Sequence, residues 1–322
     1  MVYLRICAQY AAVLAVALSL NFMLPRIAPG NPIDFLLPED VLAEMTNAER
    51  AQVMREFGLD RPVWVQFGAY VKGVFTGDLG TSVSYGMPVW DIVLDRLPWT
   101  LLLMGWALAI SAVLGSVLGV LAARWRGGAF DIGSLVAVIF VGSAPPFWVA
   151  MLLITLLAAH LGWLPSFGAA PLAAIPGSWD WLTGVGLRLI MPVTALALVQ
   201  TANTLLTARS AMQIAMGQDY VTFARAKGAG EGRVFRAHAF RNALLPIYTN
   251  VMIGIGGLVG GALVIETVFA YPGIGSLIVE GVGARDYNLL QGVFLLATIG
   301  VVAANLLADL GYPFLDPRAR RT

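Results

Sequence analysis

The sequence predicts an all-α integral membrane protein with six transmembrane helices and an extracytoplasmic segment after the first of them. Composition is the first reason. Of 322 residues, 58% are hydrophobic and only 12% charged, with a mean hydropathy of +0.78, whereas a soluble domain is roughly half apolar and a quarter charged. Second, six segments reach the roughly 20 mostly apolar residues that a helix needs to cross a bilayer core. Third, Arg and Lys in the short loops gather on one side, which the positive-inside bias assigns to the cytoplasm.

The six segments are 6–24, 99–122, 132–157, 187–206, 247–269 and 289–310. Arg5 precedes the first, as in a signal peptide, but the run is long and Pro25-Arg26-Ile27-Ala28-Pro29 offers no small-x-small cleavage site. We read it as a retained anchor. Arg5, then Arg124 and Arg126, then Arg209 with a central cluster, then Arg318, Arg320 and Arg321 fall on one side; Arg188 and Arg285 fall on the other. Both termini are therefore expected in the cytoplasm and residues 25–98 outside it.

Within 25–98, residues 46–57 (TNAERAQVMREF) place Glu49 three positions after Thr46, the spacing of a capping box. Gly58 follows as a helix stop. Trp64, Phe67, Tyr70, Val71 and Val74 then form a helical stripe. It suits a lid or spacer packed on the outer ends of the spans, without ligand contact.

Inside the membrane the interruptions are informative. Pro145-Pro146 falls in the middle of the third span and is expected to kink it; a helix broken there either lines a water-filled cavity or serves packing. Gly254, Gly256, Gly257, Gly260 and Gly261 crowd the fifth span and suit close helix contact. Gln200, Asn203 and Asn250 are the polar residues nearest a span centre, lining a path or bonding across helices. Glu266 and Asp309 are expected at span ends within reach of water.

The largest basic cluster is residues 218–246 (QDYVTFARAKGAGEGRVFRAHAFRNALLP). Arg225, Lys227, Arg233, Arg236 and Arg241 face only Asp219 and Glu231 in it. Such a loop meets lipid headgroups or another protein. Asp219 near the start of a short helix and Lys227 near its end complement the helix dipole and predict a stubby, self-capped helix. Tyr220, Phe223, Ala224 and Lys227 share one face of it and Val221, Arg225 and Gly228 another, with small Ala224 and Ala226 permitting close approach. Tyr220 and Phe223 are aromatic anchors of the kind that dominate interfaces.

Several chemistries are excluded or disfavoured. Cys7 is the lone cysteine and His160 and His238 the only histidines, which leaves little for zinc or triad chemistry. Lys72 and Lys227 are the only lysines and neither follows a glycine, so no P-loop exists here. The formal charge of +1 suggests no nucleic acid. A membrane-embedded enzyme, the rival class, lacks paired intramembrane carboxylates to work with.

A family resemblance emerges from motifs taken in order: 24–32 (LPRIAPGNP), 57–66 (FGLDRPVWVQ), 77–82 (GDLGTS), 96–100 (RLPWT), 143–152 (SAPPFWVAML), 161–168 (LGWLPSFG), 219–228 (DYVTFARAKG), 241–246 (RNALLP), 266–275 (ETVFAYPGIG) and 315–318 (LDPR). Together they resemble the inner-membrane permease of binding-protein-dependent ABC importers, in its dipeptide/oligopeptide/nickel branch. The resemblance implies the type I ABC importer permease fold in a bacterial inner membrane. It implies an anchor with extracytoplasmic segment over 1–97, a transmembrane domain over 98–313 with a cytoplasmic coupling loop at 209–246, and a tail over 314–322.

It further implies that Asp219, Tyr220, Val221, Thr222, Phe223, Ala224, Arg225, Ala226, Lys227 and Gly228 form the coupling helix that docks on an ATPase. Thr222-Phe223-Ala224 stands where the wider family has Glu-Ala-Ala, and Gly228 lies farther from Leu245-Pro246 than in sugar permeases, as in the peptide/nickel branch. The implied partners are a second, similar permease, two cytoplasmic ATPases that bind ATP and Mg, an extracytoplasmic binding protein and membrane lipid. No cofactor is expected on this chain. The implied cargo is a di- or oligopeptide, with nickel, glutathione or a short oligosaccharide as alternatives.

Overall fold

A run of apolar residues long enough to cross a bilayer satisfies its backbone groups within itself only as a helix, and helix dominates what the chain forms. A computed structural model describes residues 2–27, 39–56, 60–258 and 262–315. The readings of Gly58, Gly260, Gly261, residues 28–32 and the tail residues Arg318, Arg320 and Arg321 lie outside these. Among the described residues the only extended pairing is the single bridge between Thr81 and Pro88.

The helices are α1 (Val2–Ile27), α2 (Glu39–Glu44), α3 (Asn47–Glu56), α4 (Val63–Thr76), α5 (Val89–Arg124), α6 (Ala129–Gly142), α7 (Pro146–Leu153), α8 (Trp179–Met216), α9 (Asp219–Ala226), α10 (Glu231–Arg233), α11 (Phe240–Leu258), α12 (Leu263–Val268), α13 (Ile274–Gly283) and α14 (Tyr287–Leu315). Two π-helical turns, Ile154–His160 and Val234–Ala239, extend α7 and lead into α11. Helices α5, α8 and the Tyr287–Asp309 part of α14 are long and apolar enough to cross a membrane. The fifth predicted segment begins inside α11, and its residues 259–261 lie outside the described ones.

The third predicted segment is not one kinked helix. Helices α6 and α7 meet at 93°. Each proline drives the residue before it out of helical geometry, and Pro145 is extended (φ −61°, ψ 137°) with Pro146 opening α7. A missing N–H is harmless in a first turn, so two prolines that would damage a helix interior instead end one helix and start the next.

The chain divides into two units. The first contains Met1–Thr100, Val259–Leu263 and Pro272–Val302. Its core joins Val89, Ile92 and Val93 of α5 to Ile274 and Leu277 of α13 and to Leu289 and Val293 of α14. Asp286, fully buried, accepts from Ser82 Oγ at 2.5 Å and from the Ser84 and Leu289 N–H groups at 3.0 Å each, pinning the 77–82 motif to the start of α14. Tyr85 donates from its hydroxyl to Glu280, and burial together with that bond pushes its pKa up to about 12. Of the outer stripe, Phe67 and Tyr70 pack on Phe22 of α1, while Trp64 stays 74% exposed.

The second unit contains Leu101–Leu258, Val264–Tyr271 and Ala303–Thr322. Helix α8 is its spine, with α6, α7 and α11 against it. Helix α5 approaches α8 through Gly115 and Gly119: a Cβ at Gly115 would lie 2.6 Å from Thr204 Cβ, and one at Gly119 would lie 2.4 Å from the Leu205 carbonyl. This Gly-x-x-x-Gly contact lies in the second span, whereas the glycine pattern points to close approach in the fifth. There, Gly254 makes one such contact, on Leu108. Glu266 departs from expectation, being fully buried rather than open to water, while Asp309 remains partly exposed. In Glu266 a short helix carries its one carboxylate inward, which hydropathy along a chain does not reveal.

The candidate coupling segment and its membrane neighbours

Helix α9 is amphipathic within eight residues. Val221, 0% exposed, and Ala224 face inward onto Val234 and Ala229. Phe223, 65% exposed, and Tyr220 face outward, with the Lys227 ammonium 5.1 Å from the centre of the Phe223 ring. Thr222, Arg225, Ala226, Lys227 and Gly228 are exposed and Asp219 opens the first turn. The face predicted as Tyr220, Phe223, Ala224 and Lys227 is therefore split. Ala224 belongs to the buried side with Val221, and a two-aromatic, one-cation surface remains outside.

Asp219 stands in the first turn, as the dipole reading expects, but capping hydrogen bonds form at the other end only and are made by the backbone. No side chain caps the N-terminus, where Gln218 is the N-cap residue. At the other end the Gly228 N–H reaches the Arg225 carbonyl at 2.9 Å and the Ala229 N–H reaches the Ala224 carbonyl at 3.1 Å. That paired bonding is a Schellman stop; it needs the left-handed φ of +83° at Gly228, and the Ala224–Ala229 contact completes it. Arg225 forks onto Glu231 with bonds of 2.8 and 3.2 Å, and this holds the Glu231 carboxyl below its ordinary range.

Beyond α9 the chain is nearly continuous helix from Glu231 to Leu258. Phe235 and Ala239 of its π-helical turn pack on Ala211, Met212 and Ala215 of α8, with Val120 and Ala123 of α5 at the edge. The Arg124 guanidinium lies 5.5 Å from the Phe235 ring centre. Arg233, Arg236 and Arg241 remain exposed along this stretch.

The polar residues near the span centres are drawn mostly into bonds between helices. Ser111 Oγ of α5 donates to Gln200 Oε1 at 3.3 Å, and Asn250 Nδ2 of α11 donates to Thr204 Oγ1 at 3.2 Å. Asn203 is exposed. Pro145, but not Pro146, borders an apolar hollow of about 660 Å³ lined by Val136, Ile139, Phe140 and Trp148. Among the described residues no group of His, Cys, Asp or Glu is placed to hold a metal.

Comparison with known proteins fixes the family. Residues 115–321 match the binding-protein-dependent transport system inner membrane component family. The chain belongs to that family. A Brucella abortus protein provisionally named a peptide transport system permease is 38% identical over 318 residues, 98% of each chain. The oligopeptide transport system permease protein of Bacillus subtilis is 35% identical, covering 93% of this chain and 92% of its own. The dipeptide transport system permease protein of Escherichia coli K12 is 34% identical, covering 94% and 93%. This inner-membrane component is accordingly a multi-pass membrane protein that serves a transport system.

Two features of this inner-membrane component are absent from the expectations drawn from sequence. One is the Gly115/Gly119 approach, which its Gly-x-x-x-Gly spacing could have revealed. The other is the pairing of Arg209 with Asp131, a residue 2% exposed. Taken from sequence, Arg209 is only one more cytoplasmic charge. No spacing rule links two residues so far apart along the chain.

Proposed function

We propose that this permease imports di- or oligopeptides, forming half of the translocation path and coupling it to ATP hydrolysis through α9. The outward Tyr220, Phe223 and Lys227 surface carries the reading: two large aromatic faces left in water beside a buried, packed opposite face are what a partner groove requires. The peptide cargo follows from the names of the relatives. The chain has no P-loop, so the ATP and Mg chemistry falls to partner ATPases.

In this reading the chain has six spans, both termini and α9 lie in the cytoplasm, and residues 25–98 lie outside. It pairs with a second permease and receives cargo from an extracytoplasmic binding protein. ATP-driven closure of the ATPases draws the coupling helices together and opens the spans outward; hydrolysis resets them. The outer stripe on α4 acts as packing, since Phe67 and Tyr70 cover the end of α1.

The test is the double variant Tyr220→Asp, Phe223→Asp in the full importer. Loss of ATPase copurification and of substrate-stimulated hydrolysis is expected. Retention of both would sink the docking assignment. For the cargo, the binding protein is purified with its native ligand and examined by mass spectrometry; a metal complex or a sugar in place of a peptide would overturn that part alone.

A further inference from the structure

Asp131 sits in the first turn of α6 with 2% of its side chain exposed. One carboxylate oxygen accepts from Arg209 Nε at 2.6 Å; the other accepts from Arg209 Nη2 at 2.9 Å and from the Gly127 N–H at 2.9 Å. Gln213, one turn further along α8, lies against the outer Arg209 nitrogens; with its amide oxygen assigned to that side, as the donors there require, it accepts from them at 3.1 and 3.2 Å. Both the carboxylate and the guanidinium are therefore held in one orientation. A planar fork on a buried carboxylate fixes angle as well as distance, which a lysine would not do.

The rest of the α6–α8 contact is different in kind. Val138 meets Ala202 and Leu205, with Leu118 beside them, and Gly142 approaches Ala202 at a would-be Cβ distance of 3.3 Å. Such apolar contacts are non-directional and fix angle and register less firmly than a hydrogen-bonded fork. Among the described residues, the Arg209 fork is the only side-chain hydrogen bond that joins α6 to α8.

Its position gives this bond a task. Val221 and Ala224 seat α9 on Val234; Phe235 and Ala239 of the same turn seat on Ala211, Met212 and Ala215 of α8. Arg209 lies immediately before that seat, and α6 runs from Asp131 to the Pro145 break. We propose that the Asp131–Arg209 pair is a positioning latch. It carries displacement of α9 and the end of α8 into α6, and so into the broken helix, where apolar packing alone would fix register less firmly.

This inference rests on α9 being the ATPase-docking helix, and the experiment separates the two. The complete importer, reconstituted in lipid nanodiscs, is compared with Asp131→Asn, Asp131→Glu and Arg209→Lys variants. Four quantities are read: bound ATPase, basal hydrolysis, stimulation by peptide-loaded binding protein, and peptide uptake in proteoliposomes. Asp131→Asn should keep bound ATPase and basal hydrolysis while stimulation and uptake fall about tenfold, within the range that coupling-network changes produce. Asp131→Glu should recover part of both.

Arg209→Lys keeps the charge but loses the fork, and should assemble even where Asp131→Asn does not. A selective loss of stimulation in it supports the latch. Stimulation like that of the parent in an assembled Asp131→Asn or Arg209→Lys importer overturns it, as does a loss that falls equally on basal hydrolysis. Failure of the docking assignment reads differently, as ATPase that stays bound to the Tyr220→Asp, Phe223→Asp variant.

Discussion

Helices α3 and α9 are both short, ten and eight residues, and the sequence predicts a cap within each, but they are held in different ways. In α3 the Thr46 N–H and hydroxyl both donate to Glu49 Oε2, at 2.7 and 2.8 Å, and the Glu49 N–H returns to Thr46 Oγ1 at 3.4 Å. No described side chain of α3 is buried. In α9 no side chain caps the start, and the inward Val221 and Ala224 lie on a shelf made by Val234. The first helix is specified by its own residues and the second by what it lies against, apart from its Gly228 stop. A helix whose free face must engage a partner repeatedly gains from being fixed by its opposite face, because the exposed residues are then left to recognition.

The difference is broken most severely at Val221. Val221→Asp places a carboxylate where 0% of the side chain meets water, and should cost about 3 kcal/mol or more. The result to measure is loss of amide protection across 219–226 and of ATPase copurification, with α3 unaffected. Val221→Ala, which only removes packing, should cost about 2 kcal/mol and leave a weakened but competent helix. If Val221→Asp leaves protection intact, α9 does not depend on its shelf.

Gly119→Val acts one layer deeper, on the support of that shelf. Its new Cβ would meet the Leu205 carbonyl at 2.4 Å and Ala208 Cβ at 2.8 Å, so α5 and α8 must part, at about 1–3 kcal/mol. The expected sign is a lower thermal unfolding temperature of the detergent-solubilised permease, with Gly105→Val, where nothing lies within 4 Å, as the matched control. Equal effects at both positions would refute close α5–α8 packing as the cause.

Thr46→Ala addresses the other helix. It removes the hydroxyl from both sides of the capping box, and the first turn of α3 should fray, by about the loss that N-cap deletions bring to isolated helices. Circular dichroism of a peptide spanning 44–56 reads it: the parent should be more helical than the variant. A peptide spanning 217–229 should show little helix in either case, lacking its shelf.

The same contrast explains what could be read from the chain alone. The capping box, the proline break, the Gly228 stop and the apolar helices are written in neighbouring residues, and local rules recover them. Whether Ala224 faces in or out depends on Val234, which reaches it only through a turn. The Asp131–Arg209 pair joins α6 to α8 across most of a hundred residues, and Glu266 is buried by a packing that hydropathy does not encode. The prolines show the limit from within: residue chemistry predicts an interruption, but the 93° turn follows from Pro145 and Pro146 acting in succession at a helix start.

Acid should separate the two helices by the smallest effect. Glu49 is held below its ordinary pKa chiefly by the Thr46 N–H, and Glu231 chiefly by Arg225. For a carboxyl whose folded value is depressed, the stabilisation is present above its unfolded value and lost as pH falls through the folded one. Both contributions thus vanish on acidification, but only α3 depends on one for its shape. Below the ordinary carboxylate range, α3 amides should lose protection against hydrogen exchange while those of α9 keep it, since Val221 and Gly228 carry no charge. Parallel loss in the two helices would mean that the Arg225–Glu231 fork, exposed as it is, does more for α9 than its packing does.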